Sequence, residues 1–274
     1  KRVPMEQHVP QQACRRPALA PDVVKVAVCI VGFARTLGSR AVYQSISDSF
    51  RDTQLARFDV FGVISLGDQE QDTGRGQRCP VSAASIHRAR SVLHPVGWDE
   101  ASRRQPGPRA CSDPCMAQFE RLEQCGALLA AEERRCGRDY DYVAKLRTDT
   151  IVSGSITSWS QLNRSILWRD RWVGDSLVIL PRRNFDPIAR QLGSGNRRPF
   201  VALNLSRSRA SQPSSCWGVC SPAIMCRCAN VLSYVSQKSG LTPRYHTLRT
   251  DVHRTIDAQM AYSSRHGVVV KPPV

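Results

Sequence analysis

Four polar groups stand at the ends of apolar runs in this chain, and their residue types suit a ligand carrying phosphate or carboxylate. Gly32-Phe33-Ala34-Arg35 closes VVKVAVCIVGFAR, Gly67-Asp68 closes FDVFGVISLGD, Arg147-Thr148-Asp149 closes YDYVAKLRTD, and Gly174-Asp175 opens GDSLVILPR. Glycine admits a ligand close to the backbone. A guanidinium pairs with phosphate or carboxylate through two parallel N–H bonds, and a carboxylate takes a sugar hydroxyl or a divalent cation. In an extended strand Arg147 and Asp149 point to one side, so they meet either a common ligand or each other as an ion pair. Gly174-Asp175 also fits ordinary turn chemistry, and Arg35 also fits a surface residue capping a loop.

Ligands of open α/β sheets bind beyond the carboxyl ends of the strands, and the elements around these groups predict such a sheet. VVKVAVCIVGFAR is apolar almost throughout, the pattern of a strand covered on both faces. SRAVYQSISDSF places Val42, Ile46 and Phe50 on one helical face, and FDVFGVISLGD returns as a second strand. SAASIHRARSVLHPVGWDE reads as a short helix followed by a short or edge strand. Asp113-Pro114 supplies a cap and a first-turn proline for a long helix. Its buried stripe is Met116, Phe119, Leu122, Gly126 and Leu129, with Gly137 past its end.

The strand from Tyr140 alternates, with Tyr140, Tyr142, Ala144 and Leu146 on its more apolar face. GDSLVILPR is a further strand, expected to run antiparallel so that Asp175 borders the same edge. FDPIARQLG with Pro187 in its first turn, the stretch from Ser221-Pro222 to about residue 239, and residues 252–265 are the remaining helices. The expectation is one α/β domain over residues 22–274, a mixed and mainly parallel sheet flanked by helices. Residues 1–21, rich in Pro and Gln, read as an extended arm or stem.

The 274 residues carry a net charge of +16, from 39 Lys and Arg against 23 Asp and Glu. That balance favours phosphate or carboxylate partners such as a nucleotide-sugar diphosphate or an acidic glycan. Nucleic acid is not expected, because no aromatic-basic motif of the RNP kind occurs. Eleven cysteines and two N-x-S/T sequons, at Asn163 and Asn204, point together to the secretory pathway, a Golgi lumen or the exterior. The odd count leaves one thiol over. Cys29, inside the most apolar strand, is expected to be that free thiol, with ten left for bridges whose pairing spacing does not specify.

CWGVCSPAIMCRC (Cys216, Cys220, Cys226, Cys228) lacks the paired C-x2-C knuckles of a strong zinc site. No run approaches the roughly 18 apolar residues of a membrane span, so membrane attachment is expected only through an anchor upstream of Lys1. Hydrolase, kinase and dehydrogenase readings lack their G-x-S-x-G, P-loop and G-x-G-x-x-G motifs. Trp159, Trp168, Trp172 and Trp217 lie in or beside loops and suit either core packing or stacking on sugar rings.

The order VCIVGFARTL, FDVFGVIS, YDYVAKLRTDTI and VGDSLVILPR resembles the GT-A fold of nucleotide-sugar-dependent glycosyltransferases. It is most similar to poorly characterised algal, plant and microbial families that carry R-x-D where other GT-A enzymes carry D-x-D. The resemblance covers about residues 24–190. It implies a hexosyl- or pentosyltransferase that moves a sugar from a nucleotide-sugar donor to a protein or glycan acceptor. Gly32, Arg35, Asp68 and Arg147 are then donor-binding, and Asp149, Asp175 and Asp257 catalytic.

By the same resemblance Asp149 would ligate a Mn2+ ion on the diphosphate. Arg147, standing where D-x-D has its first aspartate, neutralises a diphosphate directly and repels a metal. Asp257 is the candidate general base for the acceptor hydroxyl, with Asp251 and His253 close by in sequence. The alternative expectation is a catalytically degenerate module of the same fold, whose arginines hold an acidic glycan or a partner protein.

Overall fold

Two apolar strands, β1 (Val24–Phe33) and β2 (Ala56–Ser65), lie parallel in register from Val24↔Ala56 to Phe33↔Ser65. Helix α1 (Arg40–Ser49) joins them. Residues 26–32 of β1 are all buried, as expected for a strand covered on both faces. Helix α2 (Ala83–Leu93) starts at Ser82, whose side chain accepts from the Ser85 N–H at 3.1 Å, and leads into the edge strand β3 (Gly97–Glu100). The long helix α3 (Pro114–Cys136) returns the chain to β4 (Tyr142–Arg147), with Gly137 at φ 60° just past the helix. Then come β5 (Thr150–Ser153), β6 (Ile166–Arg169), β7 (Leu177–Pro181), α4 (Arg182–Gly193), β8 (Thr242–Tyr245) and β9 (Arg249–Val252).

The computed structural model describes residues 23–34, 36–66, 82–100, 114–154, 159, 162–169, 176–193, 232, 235–237, 239–245 and 249–252. The arm at 1–21 lies outside them, as do Arg35, Asp68, Asp175, Asn204, Asp257 and the cysteine cluster from Cys216 to Cys228.

The main sheet has seven strands in the order β3-β2-β1-β4-β7-β6-β8, and a second sheet pairs β5 with β9. In the main sheet β7 runs antiparallel to both β4 and β6, while the other pairings are parallel. The sheet is therefore mixed and mainly parallel, flanked by helices, as expected. β1 leads to β2 on one side, whereas β4 joins β1 on the other. The strand order thus reverses between β1 and β4.

Two apolar layers cover the sheet. On one face Val26, Val28, Ile30, Ala144 and Leu146 pack with Val42, Ile46, Ile86 and Ala89 of α1 and α2. On the other, Ala27, Val31, Phe61, Val63 and Val143 pack with Phe119, Leu122 and Leu129 of α3 and Phe185 and Ile188 of α4. Burying a Leu- or Phe-sized side chain contributes about 1.5–3 kcal/mol, so these layers supply most of the driving force.

Several expectations need correction. Cys29 is not a free thiol: it is disulfide-bonded to Cys125 of α3, with Cα atoms 6.2 Å apart. The reason lies in the helix stripe, where Cys125 falls between Leu122 and Leu129 and so faces the strand carrying Cys29. Cys136 is also disulfide-bonded. The alternation of β4 does not mark a solvent face, because Val143 and Lys145 are as buried as Ala144 and Leu146. Helix α4 begins at Arg182, so Pro187 lies inside it and not in its first turn. Val252, expected to begin the last helix, instead ends β9. Trp159 packs against Phe58 and Tyr142 at centroid distances of 5.3 and 6.4 Å, and Trp168 packs on the same layer, so both serve the core.

Candidate functional site

The carboxyl ends of β1, β2 and β4 form one edge, and the start of β7 completes it. Ala34 N–H donates to the Ser65 carbonyl at 2.9 Å, tying β1 to β2, and Arg147 N–H donates to the Ser176 carbonyl at 3.0 Å, tying β4 to the start of β7. The antiparallel course expected for the GDSLVILPR strand is thus present in β7.

Strand β4 stops at Arg147, and Thr148 and Asp149 form a turn. Arg147 and Asp149 meet across that turn and not along a continued strand. Arg147 Nε donates to Asp149 Oδ1 at 2.9 Å and Nη2 to Oδ2 at 2.7 Å. The carboxylate side chain is 7% exposed and the guanidinium 22%, so the pair is mostly desolvated. Between them Thr148 turns inward and its Oγ1 donates to the Phe33 carbonyl. Thr150 Oγ1 donates to the Ser176 carbonyl at 3.3 Å.

Gly32 sits at φ 139°, a conformation that glycine adopts at little steric cost. A Cβ there would stand 3.2 Å from Thr148 Oγ1. A side chain at this position would press on the contact that joins β1 to the Arg-Thr-Asp turn.

Three buried polar residues that sequence reasoning passed over lie on the face carrying Arg147. Lys145 is two residues before Arg147 in β4 and 1% exposed. Gln118 and Arg121 occupy the first turns of α3, and the Arg121 guanidinium lies 4.7 Å from the centre of the Phe33 ring. A usable signal was present: Gln118 and Arg121 bring polar side chains to the start of the otherwise apolar stripe of α3. With Ser65, Thr148, Asp149, Thr150 and Ser176, most of the buried polar residues among those described gather at or just below this edge.

A cleft among the described residues lies elsewhere. About 260 Å3 in volume, it is lined by Glu133, Asp141, Arg164, Arg182, Arg183 and Asp186 among others, at the amino end of β4. Its charges largely satisfy one another. Arg182 donates from Nε and Nη2 to the two oxygens of Glu133, each at 2.8 Å, and pairs with Asp186 at 2.8 Å. Burial alone would lower the Arg182 pKa, but these hydrogen bonds outweigh it and hold the charge firmly. Arg164 pairs with Asp141 at 2.8 Å. This network joins the end of α3 to the start of α4 and is structural.

No protein-family model and no curated protein matches the chain. Its structure matches apo glycosyltransferase GlyE of Streptococcus pneumoniae TIGR4 at 13% identity and a TM-score of 0.38, over 81% of this chain and 45% of that one. It matches the galactosyltransferase LgtC, solved with donor and acceptor sugar analogues, at 11% identity and a TM-score of 0.35, over 60% and 59%. It matches the bifunctional glycosyltransferase WbbM at 10% identity and a TM-score of 0.35, over 65% and 36%. The chain thus spans about half or less of the GlyE chains it matches.

Of the expected site residues, the structure brings together Gly32, Arg147 and Asp149. Arg35, Asp68, Asp175 and Asp257 lie outside the described residues. Asn163 is exposed in the loop before β6, and its Oδ1 accepts from the Ser165 N–H at 2.7 Å. The described residues do not fit a Mn2+ site. Both oxygens of Asp149 face Arg147, and among the described residues no three His, Cys, Asp or Glu side chains gather to hold an ion.

Proposed function

We propose that this chain is a GT-A-like glycosyltransferase that binds the diphosphate of a nucleotide sugar between the carboxyl ends of β1 and β4. One observation carries the reading: the sheet reverses its strand order at the place where the buried polar residues gather. Ligands of open α/β sheets sit at such reversals, where the loops from neighbouring strands part. Arg147 faces the diphosphate and neutralises it without a bridging metal. Asp149 orients the guanidinium and accepts from a sugar hydroxyl. Gly32 keeps the floor of the crevice free of a side chain.

In transfer, the bond from the sugar's anomeric carbon to the diphosphate oxygen breaks and its electron pair leaves with the diphosphate. The acceptor hydroxyl oxygen bonds to that carbon, and its proton passes to a base. Stabilising the leaving group in a water-poor crevice is the contribution of Arg147. Arg35, Asp68 and Asp175 belong by sequence to the segments after β1, after β2 and before β7, and we assign them to donor and acceptor. Asp257 remains the candidate base.

The compartment proposed is the secretory pathway. A buried disulfide, the cysteine count and an exposed sequon at Asn163 support it, with glycans at Asn163 and Asn204. The acceptor proposed is a protein or a glycan.

A thermal-shift panel of UDP, GDP, ADP and CMP, with and without Mn2+, tests the reading. One nucleoside diphosphate is expected to raise the melting temperature without Mn2+, and Arg147→Gln to abolish the rise while the apo protein stays folded. A response to heparin-like polyanions alone would overturn donor binding in favour of a degenerate glycan-binding module, the reading that the +16 net charge would then explain.

A further inference from the structure

We propose that Thr148 is a positioning residue of the donor site: its hydroxyl fixes the turn that sets Arg147 and Asp149 toward one diphosphate. This rests on the donor-site reading above. The backbone ladder between β1 and β4 ends at the pair Val31↔Arg147, while β1 itself runs on to Phe33 beside β2. There the Thr148 side chain takes over, and its Oγ1 donates to the Phe33 carbonyl. A rung made by a side chain joins the two strands without extending β4, so the backbone at Thr148 and Asp149 turns. That turn lets Arg147 and Asp149 meet in hydrogen bonds of 2.9 and 2.7 Å.

The surroundings of the hydroxyl make it a lock on this turn and not a general support of the fold. Thr148 is 3% exposed, and its β-branched side chain is restricted in rotamer, so the bond is held in one arrangement. It lies against Gly32, where a Cβ would stand 3.2 Å from Thr148 Oγ1 and 3.8 Å from Cγ2. The bare glycine thus supplies the space that the hydroxyl and methyl occupy. The flanks of the turn are tied by other groups. Before it, Arg147 N–H donates to the Ser176 carbonyl at 3.0 Å. After it, Thr150 Oγ1 donates to the same carbonyl at 3.3 Å, and Val152 N–H donates to Ser45 Oγ of α1 at 3.1 Å. Losing the Thr148 hydroxyl therefore loosens the turn while its neighbours stay joined. A loosened turn must be ordered again when a diphosphate binds, and that cost lowers the affinity.

Titration calorimetry of the full chain with UDP, GDP and ADP, each in turn, tests this on wild type, Thr148→Val and Thr148→Ser. For the diphosphate that the wild type binds, Thr148→Val keeps the shape without the hydroxyl and is expected to weaken binding ~3- to 10-fold, the scale of one hydrogen bond. Thr148→Ser keeps the hydroxyl and should restore most of the affinity. A merely structural hydroxyl would lower the melting temperature of Thr148→Val but leave its dissociation constant, measured below the transition, unchanged. That result would overturn this inference alone. Equal weakening in both variants would overturn it too, since the hydroxyl would then not be the determinant. If the wild type binds none of the three, the donor-site reading falls and this inference with it. Should Thr148→Val fail to fold, Thr148→Ala replaces it, because Ala and Ser differ only by the hydroxyl; matching affinities for those two would again overturn the proposal.

Discussion

The most informative single position is Arg147. Its guanidinium forms a bidentate pair with Asp149, and at 22% and 7% exposure that pair is expensive to break. The same logic of burial governs Tyr140 at the other end of β4. Its hydroxyl donates to Asp59 Oδ2 at 2.9 Å in a buried contact. Burial first, then the Asp59 charge and this hydrogen bond, raise the phenol pKa far above its ordinary value. Above about pH 10 the unfolded chain therefore releases a proton that the folded chain keeps, so stability falls as pH rises from there. Tyr140→Phe should lose about 1–2 kcal/mol at pH 7. The gap to wild type should close above about pH 10, as urea unfolding at both pH values would register; a gap independent of pH would contradict the assignment.

At the scale of elements, α3 does two things. Its apolar stripe and its disulfide hold it against β1, and its first turns bring Gln118 and Arg121 to the carboxyl edge. The disulfide closes a separation of 96 residues between two fully buried cysteines. Replacing both, Cys29→Ala with Cys125→Ala, should lower unfolding stability by about 2–5 kcal/mol. Urea unfolding under non-reducing conditions measures this. Below its lowered transition the double variant should retain diphosphate binding, since neither sulfur faces the site. Edge strand β3 shows a smaller constraint of the same kind: a Cβ on Gly62 would lie 2.1 Å from Trp98, so only glycine leaves room for that ring on β2.

For the whole molecule, seven strands share one sheet and both apolar layers run along it. The described strands and helices should therefore unfold together, in a single calorimetric transition; two separable transitions within them would break that reading. Much of this architecture was legible. Runs such as VAVCIV and FDVFGVIS announced buried parallel strands, and the spacing of Phe119, Leu122 and Leu129 announced α3. The Arg-Thr-Asp turn was also visible as a place where a cation and a carboxylate meet. Short strands β5, β6, β8 and β9 were not, because four residues carry too little pattern to stand out from loops.

The sequence by itself determined the longer elements, whose burial is written in local periodicity, and it singled out the residue types able to meet phosphate. Only the tertiary structure decided who meets whom. Thr148 reaches the Phe33 carbonyl across 115 residues, and Cys29 reaches Cys125 across 96. Such contacts depend on strand order, register and the height of a helix along the sheet, which arise when the whole chain packs and which no local pattern encodes. Arg121 shows the same thing: on the sequence it is one arginine in a basic chain, and in the fold its guanidinium lies against the Phe33 ring.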